Sequence, residues 1–454
     1  MNTAVYRAFC VPVVLLLASL CGVAQSVIPF PGEKASSVAV MVRDLSSGET
    51  LVSQNPDKAM LPASTVKCLT SAASLIAGTD TMRIITDVYL RGKVENGVLK
   101  GDLVVRGTGD PTTDSRHFPE IPGFVNEIAQ AVKDRGITTI EGCIIVDTSF
   151  FPDNGPCDRW ELSDTRYDYG AGLWSVNYRD NSAGSRAMSA PEEEFGEALE
   201  NRLNALGVNV QWNSPDITAE IPQSEDIDNQ ERAQSEPEPP LTLLVSHKSP
   251  LGRDILSSMM CRSDNLFAEG MLRRLAPGSK REAAIARERT LLTGRGVNLD
   301  VADIYDGSGL ARNNRLTANV LADVLTMMAR SEKSQLYCSL FPRVGEEGTV
   351  RNLLKGTSLE GMLGLKSGSM NGVHCYAGYK FGDDGNPTHA VVIFVNDFFC
   401  SRSLVRSAIA SFLKNQFGAE EEKDSTDDAP EEISPEDAPD KDSEEPVQLS
   451  SETE

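Results

Sequence analysis

Beyond its first two dozen residues the chain has no apolar run long enough to cross a bilayer. It has no C-x-x-C pair, and its four histidines (His117, His247, His374 and His389) lack metal-site spacing, so neither a structural zinc site nor a thioredoxin-like centre is supported. No histidine is tied to a G-x-S-x-G elbow, and the Gly-rich "RGTGDPT" has no P-loop lysine, which argues against nucleotide binding. Basic residues are scarce, 43 Lys and Arg against 66 Asp and Glu, and they form no patch. That excludes the usual nucleic-acid footprint.

What is present begins with "MNTAVYRAFCVPVVLLLASLCGVAQS": one arginine, an apolar run from Val11 to Leu20, and small residues at Gly22 and Ala24. Residues 1–24 therefore read as a secretory signal peptide, and the mature protein is expected outside the cytoplasm, in the periplasm or cell envelope, with membrane association weak or absent. Cleavage leaves seven cysteines, an odd number with no legible pairing. Of the net charge of −23, residues 419–454 carry −14 (16 acidic residues, 2 Lys). Such a tail cannot bury enough apolar surface to fold and is expected to be disordered. A second acidic run, residues 213–240, has 8 acidic residues and 1 Arg and reads as an exposed loop.

Between these segments the pattern is mixed. "VAVMVRDLSSGETLVSQ" alternates on both sides of a Ser-Ser-Gly turn and predicts a hairpin, as does "HCYAGYKFGDDGNPTHAVVIFVND"; a closing helix is expected from Ser401 to about Phe417. Residues 89–212 are rich in strands and turns, with helical periodicity over residues 124–135 and 191–206 and a stripe of Phe195, Leu199, Leu203 and Leu206. Residues 250–329 read as mainly helical. The expected organisation is an α/β (α+β) domain split into 25–88 and 241–418, interrupted by an inserted β-rich region, 89–240.

Three short motifs carry the chemistry. In "PASTVKCLTSAASLIAG", Ser64 and Lys67 stand three apart where a helix begins, so they share a face. A serine hydroxyl becomes nucleophilic when a neighbouring base takes its proton, and a lysine is such a base once burial or another cation lowers its pKa. The bland reading is a capping serine followed by a solvated lysine, and Ser411 with Lys414 repeats the spacing by chance. "MMCRSDNLFAEG" places Ser263, Asp264 and Asn265 before an amphipathic helix; side chains two apart face one cleft only from a turn between helices. Asp264 reads as a structural contact. "LGLKSGSMNG" brings Lys366, Ser367, Gly368 and Ser369 into a strand, with Lys366 and Gly368 on one face, where the missing side chain at Gly368 would let a peptide approach closely.

Each motif alone is weak, but S-x-x-K, S-D-N and K-S-G in that order form the signature of penicillin-binding proteins and class A β-lactamases. The chain resembles the low-molecular-mass class C penicillin-binding proteins, the D-alanyl-D-alanine carboxypeptidase/endopeptidase family. "GDLVVRGTGDPT", "DGSGLARNNRLT" and "LFPRVGEEGTVRNLL" are similar to segments of that family, as is the long interval between Ser64 and Ser263. The resemblance implies a penicillin-binding/β-lactamase-like transpeptidase domain: an antiparallel sheet flanked by helices, plus a helical subdomain. It also implies a serine D-Ala-D-Ala carboxypeptidase or DD-endopeptidase acting on peptidoglycan stem peptides through an acyl-enzyme, inhibited covalently by β-lactams, without metal or cofactor.

In those terms Ser64 is the nucleophile, Lys67 its base and Ser263 a proton relay, while Asn265 orients Lys67 and holds the substrate amide. Lys366 keeps Lys67 neutral by like-charge repulsion and offers a cation to the substrate carboxylate. Ser367, Gly368 and Ser369 bind substrate, and the Ser64 and Ser369 amides hold the oxyanion. Two alternatives remain at this stage: a serine β-lactamase or esterase on the same fold, and a catalytically silent cell-wall-binding protein. Oligomeric state is not legible.

Overall fold

A computed structural model describes residues 26–211, 215–218 and 240–418. The expected signal segment, the acidic tail and most of the 213–240 run lie outside these residues. In chain order the strands are β1 (Ser37–Asp44), β2 (Thr50–Gln54), β3 (Ile85–Glu95), β4 (Val98–Arg106), β5 (Thr139–Ile140), β6 (Ile144–Asp147), β7 (Ser182–Ala183), β8 (Arg186–Ala187), β9 (Asn209–Val210), β10 (Asp216–Thr218), β11 (Leu241–Lys248), β12 (Leu363–Met370), β13 (Val373–Phe381) and β14 (Pro387–Asn396). The α-helices are α1 (Lys67–Ile76), α2 (Phe124–Asp134), α3 (Pro191–Ala205), α4 (Gly252–Arg262), α5 (Asn265–Arg273), α6 (Arg281–Thr293), α7 (Ala318–Ala329), α8 (Ser334–Ser339) and α9 (Arg402–Phe417).

Both expected hairpins meet in one antiparallel sheet of order β12-β13-β14-β1-β2, which joins residues 37–54 to residues 363–396. β1 runs against β14 from Ser37↔Asn396 to Asp44↔His389. Period-2 alternation sends Val38, Val40 and Val42, with Ile393 and Val395, to a face covered by α9 through Val405, Ile409 and Leu413. The opposite set, Ala39, Met41, Val392 and Phe394, packs with α1, α5 and α7. Covering both faces explains why β14 reads as a continuous apolar run.

After α1 the chain builds a second sheet of seven strands, with the path β10-β6-β4-β3-β11 and β5 and β9 beside it. Asn96 (φ 52°) and Gly97 (φ 81°) close the β3–β4 hairpin, which the Asn-Gly pair favours. β4 pairs parallel with β6, and β6 with β10, so α2 and α3 serve as crossovers and cover one face. Phe195, Leu199 and Leu203 are buried there, Leu206 partly, and Phe124 stacks on Phe195 at 5.4 Å.

Two strands of this sheet lie across or beside the expected breaks. β3 begins at Ile85 and straddles the expected break at 88/89, while β11, expected in the second half of the split domain, pairs with β3. The second sheet thus draws on residues 85–248. Asp216–Thr218, within the stretch read as an exposed loop, pairs with β6 as β10. The 250–329 stretch contains α4 to α7 but also a long non-helical segment between α6 and α7, which includes residues 305–314.

Candidate active site

Ser64 does not cap α1. It sits in a 3₁₀ turn, Ala63–Val66, that runs directly into the helix, where Thr65 Oγ1 donates to the Pro62 carbonyl at 2.7 Å. The turn is pressed between two glycines. A Cβ on Gly309 would lie 2.0 Å from the Ala63 carbonyl oxygen, and one on Gly368 would lie 2.8 Å from the Pro62 oxygen and 3.0 Å from Ser64 N. Ala63 itself is held at φ 46°, a left-handed conformation unusual for a residue with a Cβ. Gly368 is buried, and its missing side chain makes room for the nucleophile's own turn.

Lys67 is fully buried, which removes the solvated-lysine reading. Its Nζ lies 3.0 Å from Ser64 Oγ, 2.6 Å from Asn265 Oδ1 and 2.6 Å from the Ser308 carbonyl. The last two partners are carbonyl oxygens and only accept. An uncharged amine meets them with its two N–H groups and keeps its lone pair for the Ser64 hydroxyl proton. Burial pushes the Lys67 pKa down to about 8, against the pull of Asp306, Asp264 and Glu269.

Lys366 is also fully buried. It donates to Ser263 Oγ at 2.8 Å and to the Ser367 carbonyl at 2.6 Å. Its pKa falls well below the usual lysine value, first through burial and then through the charge of Lys67. Burial is the first cause of the lowered pKa at both lysines, with like-charge repulsion beside it.

The S-D-N motif is a turn between helices, as its spacing requires. Ser263, at φ 62°, ends α4, and Asp264 caps α5 by accepting from Phe267 N at 2.9 Å. Asn265 opens α5, and its Nδ2 donates to the Tyr169 carbonyl at 2.7 Å. On β12, Ser367 Oγ is 2.7 Å from Thr349 Oγ1, and Ser369 is exposed. Ser64, Ser263, Ser367 and Ser369 line one cavity of about 320 Å³. The structure thus gathers Ser64, Lys67 and Asn265 into one hydrogen-bonded group and Ser263 with Lys366 into another.

The support behind Lys67 was not legible in the motifs. Asp306, fully buried, accepts from Trp160 Nε1 (2.8 Å), Ser308 Oγ (3.0 Å), Gly309 N (2.9 Å), Ala311 N (2.8 Å) and Asn314 Nδ2 (2.8 Å). Glu269 accepts from Gly307 N at 2.9 Å and Ser308 N at 3.1 Å. Together they fix the loop that presents the Ser308 carbonyl. The Asp-Gly-Ser-Gly run is a turn signal that could have located this loop, but not its partner. Ser411 and Lys414, the chance repeat, lie on α9, where Ser411 Oγ only bonds back to the Ser407 carbonyl at 3.0 Å. Among the cysteines near the site, burial pushes Cys68 up to about 12, which keeps it a thiol beside Lys67.

Comparison with known proteins identifies the family and the fold. The D-Ala-D-Ala carboxypeptidase 3 (S13) family matches residues 25–183 and 175–416. The D-alanyl-D-alanine carboxypeptidase DacB of Haemophilus influenzae is 25% identical over 423 residues, covering 80% of this chain and 86% of the relative. A D-alanyl-D-alanine carboxypeptidase of Actinomadura sp. is 25% identical over 441 residues, 81% of this chain and 79% of the relative. In fold, the chain superposes on the crystal structure of penicillin binding protein 4 (dacB) from Haemophilus influenzae with a TM-score of 0.70, at 22% identity, covering 85% of this chain and 96% of the other.

Proposed function

Because the chain belongs to the D-Ala-D-Ala carboxypeptidase 3 (S13) family and is a serine-type peptidase of that family, we propose that Ser64 is its acyl-accepting residue and Lys67 its base. The observation that carries this is the pair of carbonyl acceptors on Lys67 Nζ, which use both N–H groups of the neutral amine and leave its lone pair for Ser64.

The Ser64 proton passes to Lys67 Nζ as Oγ bonds the carbonyl carbon of a terminal D-alanine. Backbone N–H groups of Ser64 and Ser369 hold the oxyanion, each such donor being worth roughly 3 to 4 kcal/mol. The C–N bond then breaks as the leaving nitrogen takes the Ser263 Oγ proton, and the proton taken up by Lys67 replaces it, so that Lys67 is again a free base and Ser263 a hydroxyl; Lys366 Nζ faces Ser263 Oγ at 2.8 Å. Water hydrolyses the acyl-enzyme by the same groups in reverse. Asn265 fixes Lys67 through Oδ1, and its Nδ2 turns from the Tyr169 carbonyl to the substrate amide. We place this chemistry in a catalytic part built from residues 26–84 and 249–418, around the inserted 85–248.

Peptidoglycan stem peptides are the substrates on this reading, cleaved as carboxypeptidase or as endopeptidase, and β-lactams acylate the same oxygen. The enzyme works in the cell envelope; no helix among the described residues is long and apolar enough to cross a membrane. Intact-mass analysis after penicillin treatment tests the assignment. The expected result is one long-lived adduct, absent in Ser64→Ala. Fast turnover of penicillin would instead mean a β-lactamase, and no adduct at all would remove the nucleophile.

A further inference from the structure

Sequence reasoning gave the substrate carboxylate to Lys366. The structure withdraws that group: Lys366 has no exposed surface, and its nitrogen is held by Ser263 Oγ and the Ser367 carbonyl. The cavity beside Ser64 nevertheless has cations. Arg351, Arg402 and Arg406 line it, and no Asp or Glu does. Arg402 and Arg406 belong to α9, a helix the motifs leave without a role. The Arg402 guanidinium reaches the end of β12, with Nη2 3.5 Å from the Met370 carbonyl, one residue beyond Ser369. Among the described residues neither arginine forms an ion pair with a carboxylate.

A second observation lies on the neighbouring strand. His374, paired with Ser369 across the β12–β13 ladder, lines the same cavity and is 4% exposed. Its Nε2 lies 3.0 Å from Tyr376 Oη, while its Nδ1 has no hydrogen-bond partner. Burial, then the charges of Arg406 and Arg402, push the His374 pKa down to about 3, so the ring is neutral and both guanidinium groups act on it. When Tyr376 donates to Nε2, the ring proton sits on Nδ1 as an unused donor. Unpaired guanidinium groups and a spare N–H suit a planar anion.

Resting on the serine-peptidase reading, we propose that Arg402 and Arg406 of α9 bind the carboxylate of the leaving amino acid and set the preference for leaving groups that carry one. They are specificity residues: they touch the leaving half of the substrate and take no part in proton transfer. The hydroxyls of Ser367 and Ser369 then orient the carboxylate, while Lys366 serves Ser263.

The test compares an N-acylated D-Ala-D-Ala peptide with its C-terminal carboxamide. Wild type is expected to favour the free acid by about 100-fold in kcat/KM, because a bidentate guanidinium–carboxylate contact has no equivalent in the amide. Arg402→Ala and Arg406→Ala should each raise KM for the acid by about tenfold or more, leave kcat within threefold and leave the carboxamide unchanged; Arg→Lys should restore part of the loss. Equal turnover of acid and carboxamide by wild type would overturn the proposal without any variant, and so would alanine variants that keep the full preference. The penicillin adduct on Ser64 separates the two levels: its loss in wild type sinks the peptidase reading, whereas its retention with no acid preference sinks only the arginine assignment.

Discussion

The two sheets differ in how they treat water. In β3, Thr86, Val88 and Leu90 are buried while Asp87, Tyr89 and Arg91 between them are only partly so, the alternation of a sheet with one dry face. In β13 all residues but Lys380 are buried, and in β14 every residue from Ala390 to Asn396 is, because helices or loops cover both faces. The reactive groups belong to the second environment. Lys67 and Lys366 are fully buried there. In the inserted sheet Arg91, by contrast, keeps a third of its side chain exposed and pairs with Asp102 at 2.8 Å. Desolvation lowers a lysine pKa far more than a surface position can, so the fully covered region is the one able to make a base of an amine.

Breaking the dry side should have the largest effect. Lys67→Ala is expected to slow acylation by penicillin by about 10⁴-fold or more, as loss of a base does where nucleophile and base act as a unit. In wild type the base is the deprotonated amine, so acylation should rise by about tenfold per pH unit below a pKa of about 8 and level off above it. A flat profile between pH 6 and 9 (roughly two units below to one above) would contradict the role given to Lys67.

Gly309→Ala probes packing rather than proton transfer. The new methyl would meet the Ala63 carbonyl at 2.0 Å, at a glycine with φ 83°. A loss of about 2 to 3 kcal/mol in denaturant unfolding, together with a marked fall in acylation, is expected. Normal stability and rate would show that the nucleophile turn tolerates displacement.

The smallest effects sharpen the comparison inside the insertion itself. Trp160, in a loop of the inserted segment, donates to Asp306 behind the catalytic loop, whereas Asp102 serves only the inserted sheet, through Arg91 and the Cys143 amide. Trp160→Phe should reduce acylation by about three- to tenfold, and Asp102→Ala should weaken folding by about 1 to 2 kcal/mol with acylation within twofold. Equal effects on rate would erase the distinction between loop and sheet.

Much of the fold was legible because it is local. The hairpins around Gly48 and Gly385 and the helices from Phe124 and Pro191 follow from periodicity and turn residues over short windows. The strands at the expected breaks 88/89 and 240/241 were not legible as partners: β3 and β11 pair across some 150 positions, and neither strand names the other. At the site, Ser64, Lys67, Ser263, Asn265 and Lys366 stood out through motif spacing. Ser308 did not, since it contributes a backbone carbonyl that any residue could supply. Gly368 was noticed for the space it leaves but not for the Pro62–Ser64 turn beside it, because the strand's alternation gives a direction but not what lies there.

The amino-acid order alone specified which functional groups exist and that serine and lysine share a helical face, since those facts depend on identity and a repeat of a few residues. Only the folded chain decided that Lys67 is dry, that its N–H groups are taken by Asn265 and Ser308, and that arginines from the closing helix reach the cleft. Proton affinity and charge recognition depend on what stands within a few ångströms in space, and here those neighbours come from segments hundreds of positions apart.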